Sequence, residues 1–196
     1  TAFPYGGQFL GFVTHFRYRG EPKETGPEQS RQDGPIDAQL VHSRDGRAWE
    51  RCEDRSPVIP NGPHAYDAGC ILGVANTPVV VGDEMWIYYT AINATHGVPT
   101  PTKRVTIARA SWPLDRFVSL DAEADGMIET APFTPPGTKL LLNADASKGE
   151  VAVEVLNGSG EVLNGYTAAE CIDAKSDSLK HEVRWRDHAG LPTDRD

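Results

Sequence analysis

Two aspartates stand where a loop turns into an apolar stretch, and carboxyl groups so placed are the first candidates for chemistry. Asp67 closes the Gly/Pro/His/Tyr-rich loop that starts at Pro57 and leads into Cys70-Ile71-Leu72, and Asp37 follows Gly34-Pro35-Ile36 and leads into Ala38-Gln39-Leu40-Val41. A positioned carboxyl can move a proton or attack as a nucleophile. The same residue closes turns by accepting backbone N–H groups, which is its commoner use. Asp45, Asp83 and Glu84 fall within hairpin turns, where turn closure accounts for them. His64 lies three residues before Asp67, and His96 sits in the loop Asn93-Ala94-Thr95-His96-Gly97. Either imidazole can bond a sugar hydroxyl or simply occupy a surface loop. His64 with Asp67 could hold a metal, but spacing alone does not make such a site, and no metal ligand is assigned.

Tyr66, Trp86, Tyr88 and Tyr89 have flat faces suited to the apolar side of a sugar ring. Strand alternation sends Tyr88 and Tyr89 to opposite faces, so at most one of them joins a shared site, and Tyr89 is the candidate. Trp86 is expected in the core. Arg104 would pair with an anionic group on a ligand or with a neighbouring carboxylate.

The balance of the chain limits its partners. With 28 acidic against 19 basic residues, a net charge of −9, it does not suit nucleic acid or an anionic membrane surface. Its apolar runs, Pro78 to Val81 among them, are far short of a membrane span, so any export signal lies outside this sequence. The 39% apolar content is that of a chain that buries a core. Cys52, Cys70 and Cys171 are odd in number and widely spaced, which supports neither a CxxC metal site nor a dense disulfide framework and leaves one bridge open. No HExxH, GxxxxGK or GxSxG pattern is present, which argues against the common metalloprotease, nucleotide and serine-hydrolase chemistries. The sequence requires no cofactor, and it leaves calcium open.

The elements that would position these residues read as β-strands. Scattered glycine and proline divide the chain into many short elements, an all-β texture. Gln8 to Tyr18 is aromatic and β-branched, as a strand is, and Arg19 to Pro35 is a long exposed loop. Asp37–Ser43 and Ala48–Arg51 flank an Asp-Gly turn as a hairpin. Thr77–Val81 and Met85–Thr90 form another around Gly82-Asp83-Glu84. Asp67–Gly73 reads as a further strand, and Arg104–Arg109 and Arg116–Leu120 alternate as half-buried strands do. After Pro132 the texture changes to Lys139–Asn143, Val151–Val155 and Glu161–Leu163, a second β unit that is most simply a sandwich. A helix has no convincing place: only Thr167 to Lys175 has suitable residues, and it is short. The expected domains are 1–131 and 132–196.

Ser43-Arg44-Asp45-Gly46 with Trp49 and Arg51, then Pro57-Val58-Ile59-Pro60-Asn61-Gly62, Tyr66-Asp67-Ala68-Gly69 and Trp86-Ile87-Tyr88-Tyr89, in this order and spacing, resemble the late blades of five-bladed β-propeller glycosidases, glycoside hydrolase families 32 and 43 and related bacterial proteins. The likeness continues through Arg116–Ala122, Thr130-Ala131-Pro132-Phe133, Leu142-Asn143-Ala144 and Val153-Glu154-Val155, where such proteins pass into a C-terminal β-sandwich. The resemblance implies partial propeller blades followed by a sandwich-like unit, and hydrolysis of glycosidic bonds in an oligosaccharide or polysaccharide outside the cytoplasm, in the extracellular space or periplasm. It also implies that this chain is a C-terminal portion whose partner is the N-terminal blades of the same protein. Hydrolysis generally takes two carboxyl groups. The resemblance places one in an earlier blade and leaves Asp67, then Asp37, as the catalytic candidates here, with His64, Tyr66, Tyr89, His96 and Arg104 around the sugar. The rival expectation is a noncatalytic β module that binds glycan or holds an assembly together. An open groove with a single carboxyl would favour that rival.

Overall fold

The computed structural model describes residues 1–193, and the fold is all-β with two short 3-10 turns at Thr100–Thr102 and Ala168–Glu170. Among the described residues no helix is long and apolar enough to cross a membrane. The chain divides into two compact units, Thr1–Phe117 and a second beginning at Val118.

The first unit is built on nine strands: β1 Ala2–Tyr5, β2 Gln8–Phe16, β3 Ile36–Ser43, β4 Glu50–Arg51, β5 Pro57–Ile59, β6 Cys70–Leu72, β7 Val79–Val81, β8 Glu84–Ile92 and β9 Val105–Pro113. β1, β2 and β3 form an antiparallel run in which His15 lies opposite Asp37 and Val13 opposite Gln39. The far edge of β3 is shared by β4, by β5 and, through the single parallel pair Ile36 and Cys70, by β6. β6, β8 and β9 form a second antiparallel run, with β7 folded back on β8 in a tight hairpin.

Alternation along these strands decides the core. On β8, Met85, Ile87, Tyr89 and Ala91 are buried while Glu84 and Tyr88 face out. Ile87, Tyr89 and Ala91 meet Phe3, Leu10, Phe12, Ala38, Leu40, Ile59 and Ile71 in one apolar cluster. Trp86 is not part of that cluster, contrary to expectation. Its place in the alternation puts it on the opposite face, where its ring lies 3.9 Å beneath the Arg109 guanidinium and its indole N–H donates to Glu84 at 2.6 Å.

Arg116–Leu120, expected as a strand, is not one. After Pro113 the chain turns sharply at Asp115, whose φ is +64°, and Tyr5 donates its hydroxyl to the Asp115 carboxylate. That turn delivers Phe117 into an aromatic group with Tyr5, Phe12 and Trp112, so the segment is used to fill the core rather than to extend the sheet.

The second unit holds β10 Leu141–Asp145 and β11 Asp177–Glu182, an antiparallel pair with a bulge between Leu142 and Ala144. Val151–Val155 and Glu161–Leu163 contribute only isolated bridges. Their backbone groups are satisfied otherwise: Val153 accepts the Trp185 indole N–H at 2.9 Å, and Val155 exchanges hydrogen bonds with Tyr166 and Leu163. Trp185, Val183 and Tyr166 form the core of this unit. In place of a helix, the Thr167 region makes one 3-10 turn closed by a reciprocal Thr167 and Glu170 cap. All three cysteines are free thiols.

Candidate functional site

The loop from Pro60 to Asp67 folds over the end of β6 because several short-range bonds close it. Gly62 N–H donates to the Asp67 carbonyl at 3.1 Å, and Asp67 N–H reaches the His64 carbonyl at 3.4 Å. The Asn61 side-chain amide donates to the carbonyls of Ile36 and Gly69 at 2.8 and 3.2 Å, tying the loop to the place where β3 and β6 meet. Gly69 makes this closeness feasible, since a Cβ there would lie 1.9 Å from the carbonyl carbon of Ala94.

One wall of an open groove of about 280 Å³ is this loop, with Val58, Pro60, Pro63, His64, Tyr66 and Asp67. The other is the end of β9, with Ala110, Ser111 and Trp112, and Tyr89 lies between them. His64 and Tyr66, both exposed, stack face to face with ring centroids 5.0 Å apart and planes 10° apart. Asp67 is 2% exposed. Its Oδ2 accepts the Tyr89 hydroxyl at 3.3 Å, and its Oδ1 has no hydrogen-bond partner among the described residues. Burial, followed by the charge of Asp67, pushes the Tyr89 hydroxyl up to about 12, so Tyr89 stays a donor at neutral pH.

Four of the sequence candidates therefore come together: His64, Tyr66, Asp67 and Tyr89. The other three lie elsewhere. Asp37 is also 2% exposed, but its place is on the β2–β3 ladder, where Arg17 Nε donates to its Oδ2 and His15 Nδ1 stands 4.0 Å from its Oδ1. Gln39 bridges onward, its amide N–H lying 3.1 Å from His15 Nδ1 and its carbonyl oxygen accepting from Arg51 at 3.4 Å. His96 is spent on the long loop: its ring packs on Phe16 at 5.0 Å, and its backbone N–H donates to Gly34 at 3.0 Å. Arg104 is exposed, and its backbone N–H is held by the Asn93 side chain at 2.8 Å. Tyr88 is on the outer face at 44% exposure.

Sequence reasoning missed Trp112 and Ser111 on the groove, and Arg17 and His15 beside Asp37. The alternation Ala108, Ala110, Trp112 along β9 was the available signal for the first. Nothing local marks a partner twenty residues away. Among the described residues, no cluster of three or more His, Cys, Asp or Glu side chains could hold a metal ion. Comparison of the chain with protein-family models, curated proteins and solved structures gives no match.

Proposed function

We propose that the Asp67 groove binds a sugar unit, and that this chain serves a glycoside hydrolase-like protein by supplying a sugar-binding wall and one carboxyl group. The observation that carries this reading is the Asp67 carboxyl, buried at the groove, held by Tyr89 at one oxygen and unpartnered at the other. A buried acceptor with an unused lone pair is costly unless a donor meets it, and sugar hydroxyls are such donors. The exposed His64 and Tyr66 stack offers a flat rim to a ring. The nine strands form one sheet, and within it two antiparallel groups, β2 with β3 and β4 and β6 with β8 and β9, meet at the single Ile36–Cys70 pair; in this reading each group is a partial blade of a five-bladed propeller. The second unit, with its two-stranded β10–β11 sheet, takes the sandwich-like place in this reading on the resemblance alone. In this reading the protein works outside the cytoplasm.

Hydrolysis takes two carboxyl groups roughly 5 to 10 Å apart across the scissile bond. Asp67 is the one carboxyl among the residues lining the groove, and Asp37 is engaged by Arg17. The second group then comes from an earlier blade. That single carboxyl also favours the alternative, a noncatalytic carbohydrate-binding module. Glycan-array binding and reducing-end release, measured on the whole protein and on residues 1–196 with Asp67→Asn beside each, separate the two. Cleavage abolished by Asp67→Asn supports the hydrolase, and binding without cleavage supports the module. A whole protein that neither retains nor cleaves any glycan overturns the sugar reading.

A further inference from the structure

The two buried aspartates differ in one respect that matters electrostatically. Asp37 carries its counter-charge with it, since the Arg17 guanidinium bonds its Oδ2. Asp67 is as deeply buried, yet among the described residues its hydrogen-bond partner is the neutral Tyr89 hydroxyl and no lysine, arginine or histidine pairs with it. Arg109 also lines the groove, but its guanidinium lies over the Trp86 ring at 3.9 Å, on the face of β8 and β9 opposite Tyr89. A carboxylate withdrawn from water without a counter-ion is met best by a charged donor, whose bond is shorter and roughly twice as strong as a neutral one.

We infer that the sugar seated on Asp67 carries a free amino group, its ammonium supplying the charge that the protein withholds. This rests on the reading of the groove as a sugar site and narrows it to unacetylated amino sugars over neutral and acidic ones. The hydrolase reading asks the same of Asp67, because the sugar ring becomes positively charged as a glycosidic bond breaks. The exposed His64 and Tyr66 rim lines the same groove as Asp67.

Chitosan tetraose, chitin tetraose and cellotetraose share one backbone and differ at C2, as ammonium, acetamide and hydroxyl. Binding of each to the full chain is measured by calorimetry at mildly acidic pH, with Tyr ring shifts followed by NMR. The expected result is an advantage of about tenfold or more for chitosan tetraose, near 1.4 kcal/mol, with Tyr66 and Tyr89 among the shifted rings. Asp67→Asn should erase that advantage. Glu84→Gln, which removes one charge on the other face and keeps an acceptor for Trp86, should retain it, which separates the groove from general attraction to an acidic protein. Equal binding of chitosan tetraose and cellotetraose at the groove overturns the inference and leaves the sugar reading intact. An advantage that survives in Asp67→Asn overturns it too. Should that variant fail to fold, shifts in the wild-type protein confined to rings away from Tyr66 and Tyr89 do the same. Absence of binding by all three, and by every glycan on the array, removes both.

Discussion

The Tyr89 hydroxyl, on the buried side of β8, donates at 3.3 Å to the carboxylate of Asp67 on the loop ahead of β6. Sheet and loop are thereby joined by a bond to a charged group inside the core. Tyr89→Phe keeps the ring and removes the donor, leaving both oxygens of Asp67 unmet. The expected cost is about 1.5–3 kcal/mol, read as a lower urea midpoint with an unchanged slope. A shift below about 0.3 kcal/mol would show the bond to be incidental.

Alkaline stability follows from the same pair. The Tyr89 hydroxyl ionises near 10 in the unfolded chain and near 12 in the folded one, chiefly through burial and then through the charge of Asp67. A group whose folded value is raised contributes fully below the unfolded value, and that contribution is lost as pH climbs from about 10 to about 12. Thermal melts should fall steeply in this window. Asp67→Asn should make the fall shallower, and an identical slope in that variant would count against the coupling.

On the acid side the informative residue is Asp33. The Thr95 hydroxyl bond, opposed in part by burial and reinforced by the N–H groups of Gly97 and Gly34 at 2.8 Å, holds its carboxyl below the usual carboxylate range. Stability from this group is present above the ordinary value and disappears as pH drops through the lowered one. Asp33→Asn should therefore flatten the acid limb of the melting curve and speed proteolysis between Arg19 and Gln32, which Asp33 anchors to the Thr95–Gly97 turn. Unchanged cleavage would contradict that anchoring.

Arg17→Met leaves Asp37 buried beside a thioether. Breaking a fully buried pair from one side costs about 3–5 kcal/mol, and because Arg17 is 45% exposed a smaller cost, about 2–3 kcal/mol, is expected. Arg17→Met with Asp37→Leu should recover much of that loss, as measured by chemical denaturation. If the double variant is no better than the single one, the charge of Asp37 is not what Arg17 neutralises.

Gly69→Ala tests the close approach beneath the loop. Its Cβ would fall 1.9 Å from a backbone atom of Ala94, which no rotamer can relieve. Overpacking of this kind costs about 1–3 kcal/mol or more, and the groove-lining rings should shift in NMR spectra because the loop must move. Wild-type stability would mean that β6 and the Ala94 turn are less tightly opposed than described.

Strands with strong alternation were readable from sequence. Gln8–Phe16, Ile36–Ser43, the Val79–Ile92 hairpin and the polar loop after Arg17 lie close to where residue types and turns put them; one buried face imposes period two on β8, whereas β3 is buried on both faces. The pattern failed where a tertiary demand won. Phe117 enters an aromatic cluster instead of a ladder, and Val153 and Val155 bond to Trp185, Tyr166 and Leu163 across the fold. β11, Asp-Ser-Leu-Lys-His-Glu, is too polar to announce itself. At the groove, adjacency in sequence made His64, Tyr66 and Asp67 legible together, and alternation singled out Tyr89. The pairing of Asp37 with Arg17 was not legible, since it depends on the register of β2 against β3.

Among the described residues β9 is paired along one side only, with β8, and it presents Val105 and Ile107 at 66% and 79% exposure. An unpaired run of amide and carbonyl groups next to β-branched side chains is a template for any extended chain that meets it. In concentrated solution residues 1–196 should thus tend to grow end over end into oligomers, and an N-methylated peptide copying Val105–Trp112 should cap that growth.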